Sequence, residues 1–153
     1  MKRRAFLALA GAGVSTSFAG CFDGSAAAAE DNRVTMTQVD FRPLELTVPV
    51  GTTVTFENTS SHSHTVTASG LPDAADESEY FASGGFDDYD AAKAAWDARS
   101  GGILQPSDTY ENTFTTPGRY DYVCIPHLRA DMVGTVIVEP EDDAGNESTS
   151  GGY

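Results

Sequence analysis

The chain has 153 residues, with 23 Asp and Glu against 9 Lys and Arg, a formal net charge of −14 at pH 7. So acidic a surface excludes nucleic acid as a partner, because phosphate binding needs clustered cations to displace counterions. Three His and two Cys leave room for one metal centre, and exclude a multi-copper oxidase or nitrite reductase.

Met1-Lys2-Arg3-Arg4 is basic and leads into the apolar stretch Ala5 to Ala19. Arg3-Arg4-Ala5-Phe6-Leu7 resembles a twin-arginine export signal, and Phe18-Ala19-Gly20-Cys21 resembles a lipoprotein cleavage box. Residues 1–20 are expected to be a removed signal peptide. The alternative, an uncleaved membrane helix, fits poorly with an apolar stretch this short and this rich in Ala and Gly. Cys21 then becomes the lipid attachment point, and the remaining chain carries 6 Lys and Arg against 23 acids, a net of −17. Lys93 is its single lysine. Acid excess with lysine scarcity resembles proteins of salt-loving archaea, where the screening length falls to about 3 Å near 1 M salt.

Residues 21–32 are rich in Ala, Gly and Asp without periodicity and predict a flexible tether. The folded domain is expected over residues 33–138. Strands are predicted at Val34–Val39, Leu44–Val48, Thr52–Glu57, His64–Thr67, Tyr110–Thr115, Tyr120–Cys124 and Gly134–Val138, from alternation bounded by Gly, Pro and Asn. Pro117-Gly118 predicts a turn. The fold class that follows is an all-β sandwich or barrel. One insertion, about 71–104, breaks the pattern, and its Asp90–Arg99 stretch predicts a short helix ended by Gly101-Gly102. The aromatics Tyr80, Phe81, Phe86, Tyr89 and Trp96 are either a satellite core or an apolar patch for a redox partner. Residues 139–153 predict a disordered acidic tail. Asn58-Thr59-Ser60 and Asn146-Glu147-Ser148 match the glycosylation acceptor pattern.

With Cys21 lipid-modified, Cys124 is a lone thiol in an oxidising compartment, which points to a reactive thiol or a metal ligand. A Cys21–Cys124 disulfide or a buried apolar cysteine leaves the neighbouring residues unexplained. Those neighbours form Cys124-x2-His127-x4-Met132, with His64 far upstream. A thiolate and two imidazoles in a plane, with a weak axial thioether, make up a mononuclear copper electron-transfer site. Soft sulfur suits Cu(I) and imidazole suits both oxidation states, so one geometry serves both. The expected metal ligands are His64, Cys124, His127 and Met132, with one type 1 copper as cofactor.

Tyr122-Val123-Cys124-Ile125-Pro126-His127 followed by Asp131-Met132-Val133-Gly134-Thr135-Val136-Ile137-Val138 resembles the closing ligand loop of plastocyanin-type cupredoxins. The acidic lipoprotein context resembles halocyanins within that family. The resemblance runs over roughly Val34 to Val138 and is weakest across the insertion. It implies a Greek-key β-sandwich with the metal at one end and His127 as the electron exit. It also implies that the Thr65 amide donates to the Cys124 sulfur, and it favours His64 over His62, which would share its face in an extended segment. Leu128, Arg129, Ala130 and Asp131 depart from the glycine-richer loops of the family, which leaves the charge beside His127 open. Pro126 has no N–H to offer the thiolate, which should lower the reduction potential.

The expectation is a monomeric, lipid-anchored blue copper protein and not an enzyme. It would carry single electrons between membrane-bound donor and acceptor proteins at the outer face of the cytoplasmic membrane. The alternatives are a copper chaperone or buffer, which three Met including Met1 argue against, and a metal-free β-sandwich interaction module.

Overall fold

Period-two alternation sorts each strand into an inward and an outward face. In the strand Thr52–Asn58 the side chains of Val54, Phe56 and Asn58 are buried while Thr53 is exposed. A computed structural model describes residues 32–141. Its strands are β1 (Arg33–Met36), β2 (Phe41–Arg42), β3 (Glu45–Pro49), β4 (Thr52–Asn58), β5 (Thr67–Gly70), β6 (Thr109–Phe114), β7 (Gly118–Val123) and β8 (Val133–Glu139). One sheet has the order β2-β1-β4-β6 and the other β3-β8-β7-β5. The parallel pairs β1–β4 and β3–β8 join strands far apart in sequence, so the architecture is a two-sheet sandwich. The signal segment, Cys21, most of the tether, and the tail beyond residue 141 lie outside the described residues.

The core between the sheets is dominated by Val34, Met36, Phe41, Phe56, Phe81, Phe114, Tyr120 and Tyr122, all buried. Tyr122 meets Phe41 edge-on at 4.7 Å and Phe56 at 5.2 Å between centroids, the aromatic geometry that ring quadrupoles favour. Its hydroxyl is buried and has no hydrogen-bond partner.

Four local expectations change. The first strand stops at Met36, because Thr37 and Asp40 close a turn through backbone and hydroxyl hydrogen bonds. The two-residue β2 follows that turn, too short to show alternation. His64–Thr67 is not a strand. His64 makes only an isolated bridge to Leu104, and β5 begins at Thr67. The helix α1 spans Tyr89–Asp97, starting one residue early because Asp88 caps it through Oδ1 to the Ala91 amide at 2.7 Å. It ends before Gly101, where Arg99 turns left-handed at φ 54°.

The topology brings three chain segments to one end of the sandwich. The loop after β4 carries His64, the segment from β7 to β8 carries Cys124 and His127, and the β1–β2 turn lies beside them.

Candidate metal centre

The β7–β8 loop begins with Cys124 and runs through two short 3-10 turns over Ile125–Ala130, joined at His127, whose φ −118° and ψ 25° leave helical geometry. Asp131 closes the loop in the left-handed region at φ 55°. The base is tied by the Cys124 amide donating to the Met132 carbonyl at 3.0 Å and the Met132 amide to the His127 carbonyl at 3.3 Å. Cys124 and His127 thereby face inward from one rigid turn.

Cys124 Sγ lies 3.5 Å from His64 Nδ1 and 3.4 Å from His127 Nδ1. The three donor atoms all fall within 4.8 Å of one another. Zinc-like bond lengths of about 2.3 Å to sulfur and about 2.0 Å to nitrogen would set sulfur and nitrogen ~3.7 Å apart in a trigonal plane. The donor set fits a first-row ion with soft and borderline character, and thiolate plus imidazole favours copper. Met132 is fully buried in the same apolar cluster as Cys124.

The Nε2 side of the His64 ring meets a network built on Asn58 and Ser60. Asn58 Nδ2 donates to the carbonyls of His62 at 2.6 Å and Leu104 at 3.0 Å. Its Oδ1 accepts from the Ser60 amide at 3.0 Å and the Ser60 hydroxyl at 2.8 Å. Ser60 Oγ, which also meets the His62 carbonyl at 3.3 Å and accepts the His62 amide at 3.1 Å, lies 2.8 Å from His64 Nε2. With the hydrogen on Nε2 shared toward Ser60, Nδ1 would face the sulfur as a lone pair, the arrangement a metal-binding imidazole needs. Thr65 joins the two ligand segments. Its amide donates to Cys124 Sγ at 3.4 Å and its hydroxyl accepts from the Ile125 amide at 2.9 Å.

Burial shapes the protonation of the site. It lowers His64 to about 4, helped by the neighbouring His127 and His62 and opposed by the Thr37 carbonyl. Burial also lowers His127, with His62 contributing. The Cys124 thiol is pushed up to about 11 by burial, partly offset by the Thr65 amide. Both imidazoles are therefore neutral at pH 7, and the thiol waits for a metal to displace its proton.

His64 is fully buried and His127 half-buried, so the second reaches the surface. His62 does not share a buried face with His64. The segment bends, and His62 stands exposed with its ring stacked near His127 at 6.1 Å. Pro126 occupies the first 3-10 turn after Cys124. Arg129 is exposed. Asn58, read from the sequence as a glycosylation acceptor, is 1% exposed with both Nδ2 hydrogens engaged, so it is closed to modification. Its positioning role had only that misleading motif as a signal.

The profile of copper binding proteins, plastocyanin/azurin family, matches residues 28–139. The chain belongs to this family. Plastocyanin of Mercurialis perennis is 35% identical over 101 residues, covering 66% of this chain and 89% of that one. Amicyanin-alpha of Methylorubrum extorquens is 30% identical over 113 residues, covering 74% and 76%. A solved structure of a purple cupredoxin from Nitrosopumilus maritimus covers 70% of this chain and 98% of its own, with a TM-score of 0.49 and 24% identity. The chain spans about half (54%) of the length of the chloroplastic plastocyanins of Hordeum vulgare and Oryza sativa subsp. indica. In this copper-family cupredoxin His64, Cys124 and His127 are positioned as candidate copper ligands.

The cupredoxin's dependence on Asn58 is testable. Asn58→Ala removes one donor each from the His62 and Leu104 carbonyls, which keep the Ser60 hydroxyl and the His64 amide, and frees Ser60, at a cost of about 1 kcal/mol. Denaturant unfolding of the metal-free protein should show that loss, and copper loading should become heterogeneous as Ser60 no longer holds the His64 ring.

Proposed function

We propose that this protein is a mononuclear type 1 copper electron carrier whose ion would be held by His64, Cys124, His127 and Met132. The observation that carries the reading is the buried His64–Cys124–His127 donor set with one imidazole reaching the surface. Bound copper supplies a one-electron couple between Cu(I) and Cu(II). The chain's own residues do the rest. Thr65 and the loop turns hold the sulfur, Ser60 orients His64, and the apolar core around Met132 and Cys124 keeps water out.

The surface around His127 supports a docking role. The exposed large apolar residues among those described are Val39, Leu44, Leu128 and Val133. Leu128 is on the ligand loop, Val133 starts β8, and Val39 lies in the β1–β2 turn. Leu44 precedes β3, where its carbonyl accepts the Thr135 amide at 3.0 Å. All four belong to the metal end, where an apolar rim lets partners approach His127. The partners proposed are membrane-bound donor and acceptor proteins. Lipid at Cys21 would hold this monomer to the outer face of the cytoplasmic membrane, and the acidic charge would make docking depend on salt.

A chaperone or buffer role is disfavoured by the burial of Cys124 and His64, which slows exchange. Copper loading of the purified protein tests the proposal. An intense blue thiolate-to-copper band that vanishes in Cys124→Ser is the expected result, and a colourless protein overturns it. A second expectation concerns Pro126. Pro126→Ala adds an amide hydrogen that can reach the thiolate and should raise the reduction potential, and voltammetry showing no change would sink that account.

A further inference from the structure

The insertion between β5 and β6 is bonded to the segment that carries His64 and packs on the one that carries Cys124. Leu104, near its end, exchanges two backbone hydrogen bonds with His64, at 3.0 and 2.8 Å. Ser83, near its start, donates its amide to the Val66 carbonyl at 2.7 Å, and its hydroxyl accepts the Val66 amide at 3.1 Å. The same hydroxyl donates to the Gly102 carbonyl at 2.6 Å, tying start to end. There the backbones of Gly84 and Gly102 approach so closely that a Cβ on Gly84 would lie 2.8 Å from the Gly102 nitrogen. Both glycines have positive φ, 94° and 79°, so the pinch needs glycine on steric and conformational grounds alike.

The far side of the insertion presses on the other ligand segment. Ala82 and Ala92 form an apolar cluster with Ile125, onto which Tyr80, Phe86 and Trp96 pack. Ile125 follows Cys124 directly, and its amide is held by Thr65. Of the two sequence readings of these aromatics, the satellite core is the one that Tyr80, Phe86 and Trp96 adopt.

We infer that the insertion is a clamp on the metal site, fixing His64 through Leu104 and Cys124 through Ile125 so that ligand spacing is set before metal arrives. Packed interiors resist displacement, so a loop pinned this way changes little when the charge on the site changes. Trp96 is a positioning residue in this arrangement, acting through Ile125. The inference rests on the copper reading above only for its metal-loaded consequences.

The test compares Trp96→Ala with Val48→Ala, which opens a cavity at the opposite end of the sandwich, where Val48 pairs with Val138. In the metal-free full chain, Trp96→Ala should speed amide exchange at Ile125 and Leu104 by about tenfold or more through local opening. Val48→Ala should leave those two amides near wild type. In the copper-loaded chain, Trp96→Ala should shift the visible band and slow electron self-exchange, and Trp96→Phe should restore both. Trp96→Leu is read the same way if the alanine variant does not fold. Unchanged exchange at Ile125 and Leu104, or equal change in Val48→Ala, overturns the clamp. A wild-type protein without a blue band would overturn the copper reading instead, and the metal-free exchange would still decide the clamp.

Discussion

Gly134→Ala should sharply destabilise this domain and disturb its metal end. Gly134 on β8 faces Tyr122 on β7 in the antiparallel register. A Cβ at Gly134 would fall inside the van der Waals envelope of the Tyr122 ring carbons and hydroxyl oxygen. The tyrosine has nowhere to retreat, since it is fully buried with Phe41 and Phe56 edge-on against it. Overpacking of this kind costs about 1–3 kcal/mol, occasionally more, and the upper end is expected here. The damage should reach the metal end, because Tyr122 lies two residues before Cys124 and Gly134 two after Met132. Those strand ends carry the Cys124-to-Met132 hydrogen bond at the loop base. Denaturant unfolding checks the loss, and Tyr122→Leu in the same chain should recover most of it, as contacting sites are not additive. Tyr122→Phe should not rescue, because the ring remains. By itself it should be neutral or stabilising, since it removes a hydroxyl that is buried without a partner at a cost of about 1–3 kcal/mol.

The candidate donor set was legible because metal chemistry restricts ligands to few residue types, and Cys124 and His127 stand on one short loop. The sandwich was legible from alternation. The parts that were not legible are held by long-range contacts. His64 looked like the start of a strand because Thr65-Val66-Thr67 is β-prone, yet its bridging partner is Leu104, 40 residues on. Asn58 resembled a surface sequon until β4 placed it under the His64 loop. The insertion gave a helix signal in its alanines, but only Ile125, in another loop, shows what that helix is packed against. Gly134 and Tyr122 were ordinary strand residues until register set them opposite each other.

Copper uptake at neutral pH should release about one proton, and affinity should rise about tenfold per pH unit between roughly pH 7 and 10. The Cys124 thiol, ordinarily near 9.0, is held up to about 11, so the metal-free protein keeps its proton across that range. His64, ordinarily 6.5 and here about 4, has none to give at neutral pH. The same shifts set the stability of the metal-free fold. A raised thiol contributes stability that is complete below the ordinary thiol value and is lost as pH climbs through about 11. A depressed imidazole contributes stability present above 6.5 and lost as pH falls through about 4. The metal-free protein is therefore most stable between about pH 6.5 and 9, while the metal demands the thiolate that burial opposes. Calorimetric titration with Cu(II), repeated in buffers of different ionisation enthalpy, counts the released protons. Cys124→Ser should release none near pH 7, which isolates the thiol as the source. A wild-type protein that binds copper tightly with no proton release would mean that Cys124 is not its ligand, because a thiol cannot become a metal-bound thiolate without giving up its hydrogen.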